Sequence, residues 1–228
     1  MKKLFSLSIC LLLASFCLAS AQPVVKTGIE VLRDRGFEGL VGKKVGLVTN
    51  PSGVDRYLVS TIDILYNAPG VELTALYGPE HGVRGDLYAG DHVKDSRDEA
   101  TGLPVYSIYG ATRKPTKEML QGIDIMVYDI QDVGVRSYTF ISTLGLVMEA
   151  CGEMGIEVMV LDRPNPLGGN KIEGCYVERP FNSFVSQYKI PYVYGLQIHG
   201  VDYHGQYLDV NYHLKKLLKI EHHDKYQE

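Results

Sequence analysis

An acid and an imidazole stand side by side in the stretch LYGPEHGVRG, residues 76–85. Gly78 and Pro79 stop the apolar run ahead of them and fix the loop backbone. A carboxyl group at Glu80, partly walled off from water, suits a general acid, with His81 tuning it or binding a substrate hydroxyl. A surface loop carrying two solvated polar residues accounts for the same letters equally well.

Three further stretches carry comparable chemistry. In DIQDVGVRSY, Asp129 is placed to hold a sugar hydroxyl or orient a base, and Asp132 to do the same or to cap the helix that follows. Arg136 can grip a carboxylate or phosphate with two parallel N–H donors, or pair internally with one of these aspartates. Tyr138 either donates a hydrogen bond or packs. In DRPNP, two prolines freeze a polar loop in which Asp162, Arg163 and Asn165 are ligand-facing, or in which Asp162 and Arg163 pair in a turn. Asn50 heads an Asn-Pro-Ser-Gly loop, and Glu173 sits on a glycine-rich connection where a solvated acid is the simpler reading.

The elements that must position these residues are strands. Val45 to Thr49, Val71 to Tyr77, Ile123 to Ile130 and Val158 to Leu161 are short, β-branched apolar runs, with Val105 to Tyr109 a weaker fifth. Helical patterns lie between them: Thr61, Ile62, Leu65 and Tyr66; Thr116 to Leu120; and Ser137 to Met154, closed by Gly155. Strand and helix in alternation predict an α/β fold, a doubly wound, Rossmann-like parallel sheet whose core runs from about Thr27 to Asp162. Ligands of such sheets bind outside the carboxyl ends of the strands, so the four polar clusters should meet along one rim.

Several classes fall away. No G-x-G-x-x-G follows the first strand and no P-loop is present, so neither a dinucleotide nor any other cofactor is expected. A net charge of −4 speaks against nucleic acid. The tail histidines, His199, His204, His222 and His223, lack the i, i+4 spacing of a ready metal pair, and no metal site is expected. Residues 1–21 read as a secretory signal peptide: Lys2 and Lys3, an apolar run from Leu4 to Leu18, then Ala19-Ser20-Ala21. Phe16 before Cys17 does not make a lipobox, and no later run is long enough to span a bilayer. A periplasmic or extracellular location follows. Cys151 and Cys175, left after the leader, either pair or remain a buried and a loop thiol.

GPEHGVRG, DIQDVGVRSYTF and LDRPNPLGG followed by EG together resemble the exo-β-N-acetylmuramidase family of peptidoglycan-recycling glycoside hydrolases, formerly a domain of unknown function. GKKVGLVTNPSGVD and LPVYSIYG fit as well, and the resemblance covers about Gly28 to Leu196. It implies a Rossmann-like catalytic domain over residues 27–170, the start of a C-terminal domain over 171–196, and a cleft between the two. It implies exo-acting release of N-acetylmuramic acid from β-1,4-linked fragments, with no nucleotide or metal. By motif, Glu80, His81 and Asp129 fall to catalysis. Asn50, Arg136, Tyr138, Asp162, Arg163, Asn165 and Glu173 fall to the sugar, with Arg136 or Arg163 on the lactyl carboxylate. Asp129, Glu173 and Tyr138 are all candidates for the second catalytic group. The atypical tail, 197–228, departs from the family pattern, so the second domain is expected to be truncated or divergent. Catalytically impaired binding of muropeptides or other acidic sugars is the alternative function. A metal-dependent hydrolase built on Glu80, His81, Asp129 and Asp162 is a third.

Overall fold

A computed structural model describes residues 25–85, 96–168 and 171–194. The expected leader and the histidine-rich tail lie outside the described residues.

The apolar runs form strands where they were expected. β1 (Lys44–Thr49), β2 (Glu72–Gly78), β4 (Pro104–Ser107), β5 (Ile125–Asp129) and β6 (Glu157–Val160) are parallel, and a two-residue β3 (Ser96–Arg97) adds antiparallel to β4 at the edge. The order is β3-β4-β2-β1-β5-β6. Among the described residues three helices accompany them: α1 (Gly28–Asp34), α2 (Thr61–Tyr66) and α3 (Phe140–Met154).

The strands are apolar almost throughout because both faces of the sheet are covered. Their period-two alternation divides them between two cores. Val45, Leu47, Leu76, Ile125 and Val127 pack with Ile29 and Leu32 of α1 and with Ile62 and Leu65 of α2. Val48, Tyr77, Met126 and Tyr128 pack with Leu144, Val147, Met148 and Cys151 of α3. Helices on both faces of a mostly parallel sheet are what the alternation of runs predicted.

The ends of the helices follow local chemistry. Thr27 and Glu30 make a capping box at the start of α1. Gly155, in the left-handed region at φ 70°, closes α3. Two expectations change. Thr116 to Leu120, read as a short helix, is a run of turns held by bonds such as Leu120 N–H to Thr116 O at 3.2 Å. Pro115 before it and Gly122 after it leave too few residues to propagate a helix. The long helix begins at Phe140 rather than Ser137, because residues 131–139 are spent on the loop above β5.

After β6 the chain forms a two-stranded antiparallel pair, β7 (Ile172–Glu173) with β8 (Val193–Tyr194), and two short 3₁₀ turns, Arg179–Phe181 and Phe184–Ser186. A bridge between Val135 and Val193 joins this segment to the loop above β5. Cys151, buried on α3, and Cys175, exposed, are free thiols, the second of the two arrangements foreseen. Burial pushes the Cys151 thiol up to about 12. No helix among the described residues is long and apolar enough to cross a membrane.

Candidate functional site

The register sets the rim. Gly78 pairs with Ser107, Thr49 pairs with Asp129, and Val48 pairs with Tyr77. The ends of β4, β2, β1 and β5 therefore stand at one level, the outer two about 14 Å apart at the usual strand spacing. The chain steps from β1 through β2 to β4, then returns to the other side of β1 for β5 and β6. The gap between β1 and β5 is thus the topological switch point, the usual crevice of such sheets.

Here that crevice is filled by the protein's own groups. Asp129 is fully buried, and its two oxygens take Arg163 Nε at 2.6 Å and Nη2 at 2.9 Å. The Thr61 hydroxyl donates to the same carboxylate. Arg163 Nη2 also donates to the Val54 carbonyl at 2.8 Å. Thr49 Oγ1 donates to the Asp129 carbonyl at 2.9 Å, and Gln131 N–H donates to Ser52 Oγ at 2.9 Å. Asn50 Oδ1 accepts from Ser52 N–H at 3.0 Å and from the Ser52 hydroxyl. A glycine is required at position 53, where a Cβ would lie 2.1 Å from Thr49 Oγ1 and 3.0 Å from the Asp129 carbonyl. Asp129 and Arg163 thus spend their polar atoms on each other, on Thr61 and on the Val54 carbonyl, and Asn50 Oδ1 is held by Ser52. Arg163 pairs with Asp129, not with its neighbour Asp162.

One strand over, the loop after β2 carries Glu80 and His81. Ile108 N–H bonds the Gly78 carbonyl at 3.0 Å, and Gly82 N–H closes a turn on the Pro79 carbonyl at 3.1 Å. Glu80 is half-buried and accepts a hydrogen bond from the Tyr109 hydroxyl, which pushes the Tyr109 phenol up. His81 is exposed and left-handed, at φ 72°. A non-glycine residue in that region costs roughly 1–2 kcal/mol. The far end of the loop is clamped by Arg84, whose guanidinium meets the buried Asp98, with Nη2 to Oδ2 at 3.0 Å, and Asp63 at 2.8 Å. The Arg84 hydrogen bonds hold the Asp98 carboxyl below its ordinary range.

Above β5 a third group of contacts ties the rim to the C-terminal segment. Burial pushes the Asp132 carboxyl up. It accepts from Gly134 N–H at 3.0 Å and from the Tyr194 hydroxyl at 2.9 and 3.0 Å, so it folds its own loop rather than capping α3. Asn165 Nδ2 donates to the Tyr194 carbonyl at 3.1 Å, and Asn165 Oδ1 accepts from Leu167 N–H at 2.9 Å. Gly134 admits this contact, since a Cβ there would lie 2.5 Å from Asn165 Nδ2. Arg136 makes no ion pair among the described residues. Its Nη1 donates to the carbonyls of Ile190 at 2.6 Å and Cys175 at 3.1 Å, and its guanidinium lies 5.7 Å from the Tyr192 ring centroid. Tyr138 is exposed, its ring 6.0 Å from that of Phe140. Glu173 is exposed and 3.3 Å from Lys171. Asp162 is half-buried beyond β6. Burial pushes its carboxyl up to about 6, against one opposing bond from Arg163 N–H.

Among the described residues no group of three or more His, Cys, Asp or Glu side chains could hold a metal ion. The four residues of the metal-hydrolase reading are not gathered, since Asp129 is enclosed by Arg163 and Thr61. Sequence reasoning missed Tyr109, Thr61 and Tyr194. Tyr109 had a legible sign: it ends a strand pattern next to the one that ends at Glu80. Thr61 and Tyr194 had none, because their partners are 68 and 62 residues away in the chain.

The fold and its rim are those of a doubly wound α/β domain of the DUF1343 type. Two crystal structures of DUF1343 family proteins from Bacteroides fragilis superpose on it. One has a TM-score of 0.71 and 63% identity and covers 75% of this chain and 43% of that one. The other has a TM-score of 0.64 and 31% identity and covers 75% and 44%. The sequence model described as "Exo-beta-N-acetylmuramidase NamZ, N-terminal" matches residues 45–227, past Leu196 where the motif resemblance ended. The peptidoglycan β-N-acetylmuramidase NamZ of Bacillus subtilis (strain 168) is 56% identical over 177 residues, 78% of this chain. The chain belongs to the NamZ exo-β-N-acetylmuramidase family. It spans 43% of the length of that Bacillus relative.

Two expectations follow from the geometry. Arg163→Ala strands the buried Asp129 carboxylate and lowers the free energy of unfolding by about 3–5 kcal/mol, read by urea titration. Arg163→Lys recovers only part of this, because an ammonium cannot reproduce the two-pronged contact. The second concerns pH. Asp162 is raised from its ordinary 3.8 to about 6, so between those values the folded chain keeps a proton that the unfolded chain has lost. Its contribution to stability is therefore full below the unfolded value and falls as pH rises through about 6. Asp162→Asn removes this slope, so the loss of Tm between pH 4 and pH 7 is smaller in the variant than in wild type; an equal loss would contradict the assignment.

Proposed function

We propose that the chain is an exported glycoside hydrolase that releases N-acetylmuramic acid from the non-reducing ends of β-1,4-linked peptidoglycan fragments, with Glu80 as general acid. The observation that carries the reading is the half-buried Glu80 carboxyl in the loop after β2, which accepts a hydrogen bond from Tyr109. Membership of the NamZ family and the Bacillus relative's name supply the substrate class. In this reading the Glu80 proton passes to the glycosidic oxygen as the bond from the anomeric carbon breaks, and water ends on that carbon. No cofactor takes part. His81 sits on the exposed side of the same turn, in reach of a sugar hydroxyl rather than of the cleaved bond.

Arg136 is the better fit to the lactyl carboxylate that distinguishes muramic acid from glucosamine. Its Nη1 is fixed by two carbonyls and its face by Tyr192, while its remaining N–H groups have no partner among the described residues. Arg163 is committed to Asp129. Asp129, Arg163 and Asn50 are accordingly positioning residues that hold the β1 and β5 loops, and Asn165 holds Tyr194. Tyr138 and Glu173 are exposed beside the Arg136 anchor and are available to the sugar. The leader-like residues 1–21 support a periplasmic or extracellular location.

Release of the chromophore from a chromogenic β-N-acetylmuraminide tests the reading. Glu80→Gln lowers kcat by roughly 100-fold or more with an unchanged Tm. Equal release by both proteins would sink Glu80 as the acid. Calorimetric binding of N-acetylmuramic acid without turnover would leave a sugar-binding role in its place. Arg136→Lys narrows the preference for the muraminide over the matching N-acetylglucosaminide about tenfold, mostly through KM. An unaltered preference would remove Arg136 from the carboxylate.

A further inference from the structure

The ends of β2 and β4 leave the sheet in step. Gly78 and Ser107 are paired, and Ile108 N–H bonds the Gly78 carbonyl at 3.0 Å. Glu80 and Tyr109 each lie two residues beyond that pair, on the neighbouring loops that leave β2 and β4. Tyr109 is half-buried and its hydroxyl donates to the Glu80 carboxylate. The ring is held at the base of a loop whose Arg113 lies 4.5 Å from the Phe184 ring centroid, on the segment that also carries Tyr192 and Tyr194.

We propose that Tyr109 is a positioning residue for Glu80, orienting its carboxyl group and receiving the negative charge that develops there as the proton leaves. The inference rests on Glu80 being the acid. A carboxyl group has two oxygens, and a donor fixed on one of them turns the other toward the cleft. While Glu80 is protonated, the contact with Tyr109 is an ordinary neutral hydrogen bond. As the proton passes to the glycosidic oxygen, the same contact becomes charge-assisted and about twice as strong. It therefore favours the transition state over the bound substrate, which is the requirement for raising kcat rather than affinity. The donor costs no reorganisation at that moment, because β4 holds it in place before substrate arrives. The Tyr109 phenol, pushed up by this bond, stays protonated and able to donate across the working pH range.

Tyr109→Phe tests this, since it keeps the ring and removes only the hydroxyl. The full chain is assayed on the chromogenic muraminide beside Glu80→Gln, with Tm measured for each. The expected result for Tyr109→Phe is a wild-type Tm, kcat lower by roughly 10- to 100-fold and KM nearly unchanged. The alkaline limb of the kcat profile should move up, because the ionised carboxylate has lost its donor. A wild-type kcat and limb, or a loss of kcat with an unmoved limb, would overturn the proposal; the second result would mark a packing role only. Turnover by Glu80→Gln equal to that of wild type would overturn the acid assignment and this inference with it. A readout without turnover accompanies these assays, the alkaline ultraviolet titration of the tyrosines. One phenol should ionise at lower pH in Glu80→Gln than in wild type, and that component should be missing from Tyr109→Phe. An identical titration in wild type and Glu80→Gln would overturn the contact itself.

Discussion

At the switch point of the sheet the β1 and β5 loops diverge, and a buried carboxylate and guanidinium hold what lies between them. Asp129 ends β5, Arg163 follows β6, Thr61 opens α2, and Val54 belongs to the loop after β1. One ion pair therefore fixes four connections at once. It is worth little as net stability, because desolvating two charges offsets most of their attraction. Its worth is geometric: each partner without the other would be an uncompensated charge in the core, so the four loops have one arrangement in which all their polar atoms are satisfied. Among the described residues no buried side-chain nitrogen or oxygen lacks a hydrogen-bond partner.

Filling the crevice has a consequence for where a ligand can bind. In nucleotide-binding relatives of this architecture the glycine-rich first loop leaves room for a pyrophosphate. Here Asn50, Ser52 and Gly53 turn inward and close on β5. The accessible polar groups move outward along the rim, to Glu80 and Tyr109 on one side and to Arg136 and Tyr138 on the other. The two sides differ in rigidity for a physical reason. The first is set directly by parallel strands in register. The second depends on the segment from Lys171 to Tyr194, which reaches the rim through Arg136, the Asp132–Tyr194 contact and the Val135–Val193 bridge.

The parallel strands were legible because a strand covered on both faces has an unbroken apolar run, and Val45 to Thr49 or Ile125 to Asp129 has little else to be. α1 was not legible: at seven residues it shows two apolar contacts, Ile29 and Leu32, too few to establish a period. β3 and the β7–β8 pair, at two residues each, carry no pattern at all. Strand ends placed Asp129 at the end of β5 and Glu80 and Arg136 in the loops after β2 and β5, where the structure has them. They could not separate a group that faces a ligand from one that faces the protein. Arg163 was read with Asp162 beside it, yet its partner is 34 residues earlier, because the side chain reaches back across the strand end to β5. Pairing of that kind is set by packing, and local spacing does not encode it.

Glu80 and His81 show the same limit at the shortest range. Adjacent letters invite reading them as a catalytic pair, but both residues lie in a turn in which Glu80 is half-buried and His81 exposed. The backbone turns left-handed at His81, while Glu80 accepts a hydrogen bond from Tyr109. The strained conformation persists because both ends of the turn are fixed, Gly78 by the Ile108 amide and Arg84 by Asp98 and Asp63. Glu80 thus has a hydrogen-bond partner in the tyrosine one strand away. The clamp at Arg84 on Asp98 and Asp63 holds the far end of the same turn.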